Sequence, residues 1–333
     1  TRIIMKTIYL FIISLPFLSV AQSFDATNEA TIGSLASLHL CDSNANIQAN
    51  IMGANVTWDF SQIAGIFGVT KDVQILDATQ DANYASFAGS TKMYDIGGNL
   101  QTFYSSSASG RISQGFVFNE VSLGAVVASW NVDQENLMAY PLSLASNPLI
   151  DAFSGTVTST ATGTLPATGS SVTMVDGSGT LLLPGGNSYT NVMRFHLKDS
   201  AVASVFGTNV AFVRNVYEYY DFTVSNMPIF ITMSVDVNSA LINNSSTIIL
   251  SKDQPLTFVG GDEIPMETIQ LYPNPATNEL YINGATFGDE FKIHDLRGKL
   301  IGTGSYNGPI DVTNLIAGVY LLQINGQTVE FIK

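Results

Sequence analysis

The chain of 333 residues has one cysteine, Cys41, and three histidines, His39, His196 and His294. A single cysteine excludes an internal disulfide, so buried apolar side chains and hydrogen bonds between strands must hold the fold. The apolar neighbours of Cys41 predict a buried strand residue rather than a reactive thiol. Three scattered histidines do not have the ligand spacing of a zinc site, and no nucleophile motif accompanies them. We therefore predict no catalytic residue and no metal ligand from these residue types.

Charge is also scarce. Charged residues are 12% of the chain, and 27 Asp and Glu outnumber 13 Lys and Arg for a net charge of −14. An acidic surface repels phosphate backbones, which argues against nucleic acid as a partner. Ser, Thr, Asn and Gly supply the polarity instead, and no run of ten residues has a helical period. This composition is typical of an extracellular protein made of β-strands.

The first residues have the pattern of an export signal. We expect translation to start at Met5, with Lys6 as the positive residue ahead of an apolar stretch at 8–20. The small residues Ser19 and Ala21 suit cleavage by signal peptidase after Ala21. The apolar stretch is too short to span a bilayer. Residues 1–21 are therefore predicted to be a signal peptide for the Sec pathway, and no later stretch is predicted to cross a membrane.

The body, residues 22–251, consists of short alternating segments separated by turn residues. The clearest segment is 192–198, where Arg194, His196 and Lys198 alternate with apolar residues, as in a half-buried strand. We predict an all-β fold: an antiparallel β-sandwich body, either one large sandwich or two in tandem divided near 140–155. Residues 252–268 are rich in Pro, Gly and acidic residues, which is typical of an extended linker.

One cluster in the body suggests a ligand site. Tyr217, Glu218 and Tyr219 lie in a predicted strand, and an aromatic strip on a sheet can stack on sugar rings. The competing interpretation is that these tyrosines pack in the core. If the strip binds a ligand, Tyr217 and Tyr219 should face outward. If the body is an enzyme, two or three carboxylates with raised pKa values should converge in a pocket.

A structural calcium ion is the one cofactor that the sequence raises, and no other cofactor is predicted. Asp42, Asn44 and Asn46 have the alternating oxygen spacing of a calcium loop. The loop lacks the glycine expected at its sixth position, which is Ile47, and the glutamate expected at its twelfth, which is Gly53. Calcium therefore stays an open alternative.

The last 65 residues contain the most specific motifs. They are Leu271-Tyr272-Pro273-Asn274-Pro275-Ala276, Ile293-His294-Asp295-Leu296-Arg297-Gly298-Lys299, Ile310-Asp311-Val312-Thr313-Asn314-Leu315 and Ala317-Gly318-Val319-Tyr320. In order and spacing, residues 269–333 resemble the type A C-terminal sorting domain of the type IX secretion system of Bacteroidota. The alternation around Tyr320 and the Asn325-Gly326 turn independently predict a small β-sandwich with tight hairpins. The body resembles uncharacterised secreted proteins of the same bacterial group in two stretches, 55–61 and 176–194.

The resemblance implies a route and a destination. It implies export by Sec, recognition of the folded tail by the translocon and sorting machinery in the outer membrane, and removal of the tail. The product is then held at the cell surface or released. For the body, two hypotheses stay open: a non-enzymatic module for adhesion or for glycan or protein binding, and an extracellular polysaccharide hydrolase.

Overall fold

The computed structural model describes residues 22–120, 124–159, 163–205, 208–238, 243–256 and 269–333. The predicted signal peptide, and the part of the predicted linker at 257–268, lie outside these residues. The described chain is built of strands and three 3₁₀ helices, Ala78–Gln80, Tyr84–Phe87 and Pro184–Gly186. Among these residues no helix has the length and apolar character needed to span a membrane.

The body strands are numbered in chain order. They are β1 Ser23–Phe24, β2 Leu35–Cys41, β3 Gly53–Asp59, β4 Gly65–Asp77, β5 Lys92–Ile96, β6 Leu100–Ser107, β7 Gly110–Glu120, β8 Gly124–Asp133, β9 Glu135–Ala139, β10 Leu142–Ser143, β11 Leu149–Ser159, β12 Gly163–Leu183, β13 Asn187–Val205, β14 Thr208–Tyr220, β15 Phe230–Asn238 and β16 Asn243–Ser251.

Fourteen of these strands form one sheet that closes on itself. Its order is β11-β8-β7-β6-β5-β4-β2-β16-β15-β14-β13-β12, and β12 pairs with β11 again to complete the circuit. Strand β3 adds to β12 in parallel, and β9 adds to β7, outside the circuit. Each strand of the circuit therefore has a neighbour on both sides, although β16 and β2 pair at two positions only, Leu250 with Leu40 and Ser251 with His39.

Period-two alternation gives the closed sheet an inner and an outer face. The inner face forms the main apolar core, which includes Phe116, Trp130, Phe195 and Leu250. Two segments cover parts of the outer face. Residues 42–64 cover one part with a second cluster around Trp58, and the 3₁₀ segment around Phe87 covers another. Side chains on both faces of several strands are therefore buried.

The all-β prediction is confirmed, and the body forms one large sheet rather than two in tandem. Strand β11, at 149–159, pairs with β8 on one side and with β12 on the other. The strands before and after 140–155 consequently belong to the same closed sheet.

The tail forms two small sheets around a core of its own. Its strands are β17 Gln270–Tyr272, β18 Glu279–Asn283, β19 Glu290–Asp295, β20 Leu300–Ser305, β21 Ile310–Asp311, β22 Val319–Ile324 and β23 Gln327–Ile332. The sheets have the orders β17-β18-β21 and β20-β19-β22-β23. Asn325 and Gly326 have φ values of 50° and 72°, and a type I′ turn needs a positive φ at both positions. The predicted small sheet domain and this hairpin are confirmed.

The tail also touches the body. Leu296 and Leu321 pack against the main core of the body. The Arg297 guanidinium donates a hydrogen bond of 3.2 Å to the hydroxyl of Ser246. Part of the tail surface is therefore buried against the body.

Candidate functional site

The three residues nominated as a ligand site lie in β14, and all are buried. Tyr217, Glu218 and Tyr219 are 5%, 4% and 0% exposed. The alternation of the strand places the two tyrosines in the outer cluster around Trp58, and it directs Glu218 to the inside of the closed sheet. Tyr217 and Tyr219 are therefore covered packing residues, and the exposed strip expected of a ligand site is not present at these positions.

The tyrosines surround a buried cation. The Arg194 guanidinium lies 4.8 Å from the ring centre of Tyr217, 5.8 Å from that of Tyr219 and 5.1 Å from that of Trp58. The carboxylate of Asp176 accepts two hydrogen bonds from Arg194, at 2.7 and 3.0 Å. An arginine without exposure needs such pairing because burial of an isolated charge is costly.

Residues 42–64, the segment that covers the outer face, supply further hydrogen-bond partners of Arg194. Arg194 also donates to the backbone carbonyl oxygens of Gln48 and Ala49, at 3.1 and 3.2 Å. The half-buried strand predicted at 192–198 would leave Arg194 facing solvent, and this is wrong, although β13 alternates as predicted. Periodicity identifies the two faces of a strand, but it cannot show that residues 42–60 fold back over the outer face.

His196 is positioned by the same cluster. Its ring stacks on Tyr217 with 4.2 Å between ring centres. One ring nitrogen lies 3.4 Å from the Asp176 carboxylate, and the other lies 2.8 Å from the Asn215 side-chain oxygen. Both nitrogens are thus engaged by residues that hold the ring in place.

The interior of the closed sheet contains further buried charges. Glu29 pairs with Arg111 at 2.8 Å and with Lys92 at 3.1 Å, and the Tyr140 hydroxyl also donates to it. Burial raises the pKa of Glu29, but Arg111 and the other donors outweigh this and leave its pKa below the ordinary value. This carboxylate is therefore ionised and fully paired.

Glu218 and Glu135 behave in the opposite way. Burial raises the pKa of Glu218, which accepts a hydrogen bond of 2.7 Å from the Tyr220 hydroxyl. Burial, followed by repulsion from Asp199, raises the pKa of Glu135 to about 7, even though Arg214 lies near it. Arg214 itself is paired with the Asp199 carboxylate, with one contact of 3.0 Å. Two carboxyl groups of the interior thus hold protons more tightly than usual.

Glu218 lines a small cavity together with two of these arginines. The cavity that Glu218, Arg111 and Arg214 line has a volume of about 40 Å³. Ligand pockets usually measure about 300–1,000 Å³, and about 10–15 Å³ of such volume holds one water. The interior therefore has room for a few waters but not for a sugar ring.

A larger groove lies on the outer face, over β7, β8 and β11. Its volume is about 350 Å³, and none of the side chains that line it is charged. The polar side chains are amides and hydroxyls: Ser86, Gln114, Ser129, Asn131, Gln134, Thr156 and Thr158. Sequence reasoning missed this groove because its residues come from four separate segments, each of which is unremarkable in composition.

The proposed calcium loop has a structural explanation of its own. The Asp42 carboxylate accepts hydrogen bonds from the backbone and side-chain nitrogens of Asn44, at 2.9 and 3.0 Å. Asn46 makes the same kind of turn by accepting from the backbone nitrogen of Gln48. Across the described residues, no three His, Cys, Asp or Glu side chains are grouped to hold a metal ion. A structural calcium ion stays an open alternative.

The single cysteine is placed as expected. Cys41 ends β2 with no exposure, and burial raises the pKa of its thiol. The thiol is therefore a packing residue and not a nucleophile.

The motif residues of the tail hold the tail together. The Asp295 carboxylate accepts from the backbone nitrogens of Arg297 and Lys299 and closes the turn that Gly298 makes at φ 83°. The Tyr320 hydroxyl donates to the carbonyl oxygen of Ile316 at 2.8 Å. These side chains stabilise turns and strand ends, so they define a fold that a receptor can recognise.

The Tyr-Pro-Asn-Pro segment is fastened to the last strand. Asn274 donates to the carbonyl oxygen of Glu330 and accepts from the backbone nitrogen of Ile332, at 3.2 and 2.9 Å. Pro273 and Pro275 on either side of it are exposed, and the Tyr272 ring stacks on Tyr281. Gly318 exchanges two backbone hydrogen bonds with Lys333, and Leu315 packs against the tail core. The two ends of the tail are therefore tied together.

Comparison with known proteins agrees with this arrangement. Residues 270–333 match the family described as the secretion system C-terminal sorting domain. The chain is therefore cargo of the type IX secretion system, exported to the cell surface or the extracellular space. This confirms the resemblance drawn from the motifs.

Part of the chain has a weaker relative. The chain is 29% identical to beta-agarase D of Zobellia galactanivorans over 121 residues, which are 36% of this chain and 25% of that protein. The alignment thus spans a quarter of the agarase. No solved structure matches the chain.

Proposed function

We propose that the body is a non-enzymatic binding module that the type IX pathway delivers to the cell surface or the medium, where it binds a glycan. The observation that supports this most directly is the groove of about 350 Å³, which is lined by amide and hydroxyl side chains without a charge. Neutral donors and acceptors in a concave site suit binding. Hydrolysis of a glycoside needs a pair of carboxyl groups beside the bond.

Hydrolysis of a polysaccharide is the second candidate. Glu218 and Glu135 have raised pKa values, as a general acid requires, and a protein that is similar to 36% of this chain is named an agarase. Against this, the cavity that Glu218 lines is about 40 Å³. For Glu218 to reach a polysaccharide, several strands of the closed sheet would have to separate.

A paired assay separates the two candidates. The protein from residue 22 to 333 is passed over agarose beads and beads of other insoluble polysaccharides, and the same samples are assayed for new reducing ends. We expect retention that soluble polysaccharide reverses, with no new reducing ends. Release of reducing ends that Glu218→Gln abolishes would establish the hydrolase instead. If the protein is not retained on any of the glycans and releases no reducing ends from them, the proposal is contradicted.

A further inference from the structure

The outer groove contains a polar group that is buried and lacks a partner. Gln114 lines the groove and is 5% exposed. Its side-chain nitrogen donates to the Ser105 hydroxyl at 3.3 Å, whereas its oxygen has no hydrogen-bond partner among the described residues. An unsatisfied buried acceptor costs about 1–3 kcal/mol, so a ligand hydroxyl that donates to this oxygen would be favoured.

The surroundings of Gln114 are held rigidly. The Ser129 hydroxyl, on the neighbouring strand β8, donates to the carbonyl oxygen of Ser86 at 2.6 Å. This bond fastens the 3₁₀ helix Tyr84–Phe87 over the sheet as one wall of the groove. Thr156, which pairs with Ser129 in the register of β11 and β8, and Thr158 also line the groove. A preformed site of this kind loses little entropy when a ligand binds.

The chemistry of the lining selects the ligand. Because no charged side chain lines the groove, an ionised ligand would find no opposite charge there, and the protein as a whole carries a net charge of −14. Sugar hydroxyls both donate and accept, which matches a lining that offers amide groups and threonine hydroxyls together. The volume of about 350 Å³ lies at the lower end of the usual range for ligand pockets.

We propose that this groove binds one or two units of a neutral saccharide, with the side-chain oxygen of Gln114 accepting a hydrogen bond from a sugar hydroxyl. Thr156 and Thr158 on β11 bind further sugar hydroxyls, and the Thr158 hydroxyl is also in contact with that of Thr164 at 2.9 Å. This assignment rests on the proposed function, because it locates the glycan site and names the ligand class. The buried acceptor then gains its missing donor only when the sugar is bound.

Calorimetric titration tests the site. The protein from residue 22 to 333 is titrated with neutral tetrasaccharides of glucose or galactose units, and with an alginate tetrasaccharide as the charged comparator. Gln114→Met keeps the shape of the side chain but removes the acceptor, so we expect affinity for the neutral ligand to fall about tenfold. Thr156→Val should weaken binding a few-fold. Gln101→Met, a matched change on β6 outside the groove, should leave affinity unchanged.

Three other results would overturn the inference in whole or in part. Binding that neither Gln114→Met nor Thr156→Val alters would overturn the groove assignment and leave the proposed function standing, since the glycan would then bind elsewhere. Equal affinity for alginate would overturn the neutral ligand class. If no tetrasaccharide binds, the inference fails, and the bead assay judges the proposed function separately. Because Thr156 is only partly buried, its variant folds even if Gln114→Met does not.

Discussion

At the scale of single residues, the body is a protein with few charges that buries several of them. Arg194 and Arg214 have at most 1% exposure, and each is paired with one carboxylate, Asp176 and Asp199 respectively. Pairs of this kind stabilise little relative to apolar packing, but the loss of one partner is expensive. They therefore specify the position of the strands and of the covering segment more than they add to stability.

Removal of the Arg194 charge tests this role. We expect Arg194→Met to lower the free energy of unfolding by about 3–5 kcal/mol, because the buried Asp176 carboxylate loses its arginine partner and keeps only the contact with His196. Urea unfolding followed by tryptophan fluorescence measures the loss. Lys198→Met, on the same strand but exposed, should change stability by less than about 0.5 kcal/mol. A change in Arg194→Met as small as that of the control would show that the pair is dispensable.

The pKa of Glu135 predicts a pH dependence. Its folded pKa of about 7 exceeds the ordinary value of 4.5, so the folded state binds its proton more tightly than the unfolded state does. Stability from this group is therefore fully present below pH 4.5 and is lost as the pH rises through 7. The raised pKa of Glu218 acts in the same direction.

Replacement of the acid isolates this effect. Glu135→Gln should make the protein more stable than wild type at pH 8, by roughly 1–3 kcal/mol, with little difference at pH 4.5 or below. Urea titrations at several pH values measure this. Asp133→Asn removes an exposed carboxylate two residues away and controls for net charge. Parallel stability profiles for wild type and Glu135→Gln would show that Glu135 does not titrate in this window.

At the scale of elements, the long strand β12 connects three parts of the fold. It pairs with β11, β13 and β3, and its pairing with β3 shifts register between Ser178 and Gly179. A Cβ at Gly179 would lie 2.0 Å from the carbonyl oxygen of Val56, so only glycine lets the two backbones approach. This contact fixes β3, and β3 carries Trp58 into the cluster around Arg194.

A methyl group at this position should displace β3. We expect Gly179→Ala to cost about 1–3 kcal/mol, because the clash is with backbone and cannot be relieved by a rotamer change. Thermal unfolding gives the cost, and near-UV circular dichroism reports the surroundings of Trp58. Gly302→Ala, where a Cβ meets nothing within 4 Å, is the matched control. An unchanged near-UV spectrum in Gly179→Ala would contradict the tight approach.

Much of this element structure follows from local pattern. The alternation in β13 and the Asn325-Gly326 hairpin could be predicted because they depend on the period of a strand and the φ values of a turn. The closure of the sheet through β11 and β12 could not, because register between distant strands depends on contacts that no local period records.

At the scale of the whole molecule, the tail and the body have separate tasks. The tail has its own apolar core and matches a sorting family, whereas the body contains the closed sheet and the groove. Export is therefore expected to depend on residues 269–333, and fusion of these residues to another protein should deliver that protein in the same way.

Deletion of residues 269–333 should abolish delivery. We expect the truncated protein to be absent from the cell surface and the medium of a host with the type IX system, because the deletion removes the domain that matches the sorting family. Surface proteolysis and immunoblots of cell fractions measure this. A fusion of residues 252–333 to an exported reporter is the complementary control, and it should reach the surface. Unchanged delivery of the truncated protein would refute the assignment to the tail.

The sequence by itself determined the class of fold, the export route and the structural role of Cys41. These depend on composition, on two-residue alternation and on a contiguous motif of 64 residues. Tertiary structure alone decided what Tyr217, Glu218 and Tyr219 do and where a ligand could bind. The reason is physical: burial depends on which distant segment lies over a strand. Residues 42–60 cover the tyrosines, whereas β7, β8 and β11 leave a groove beside Gln114.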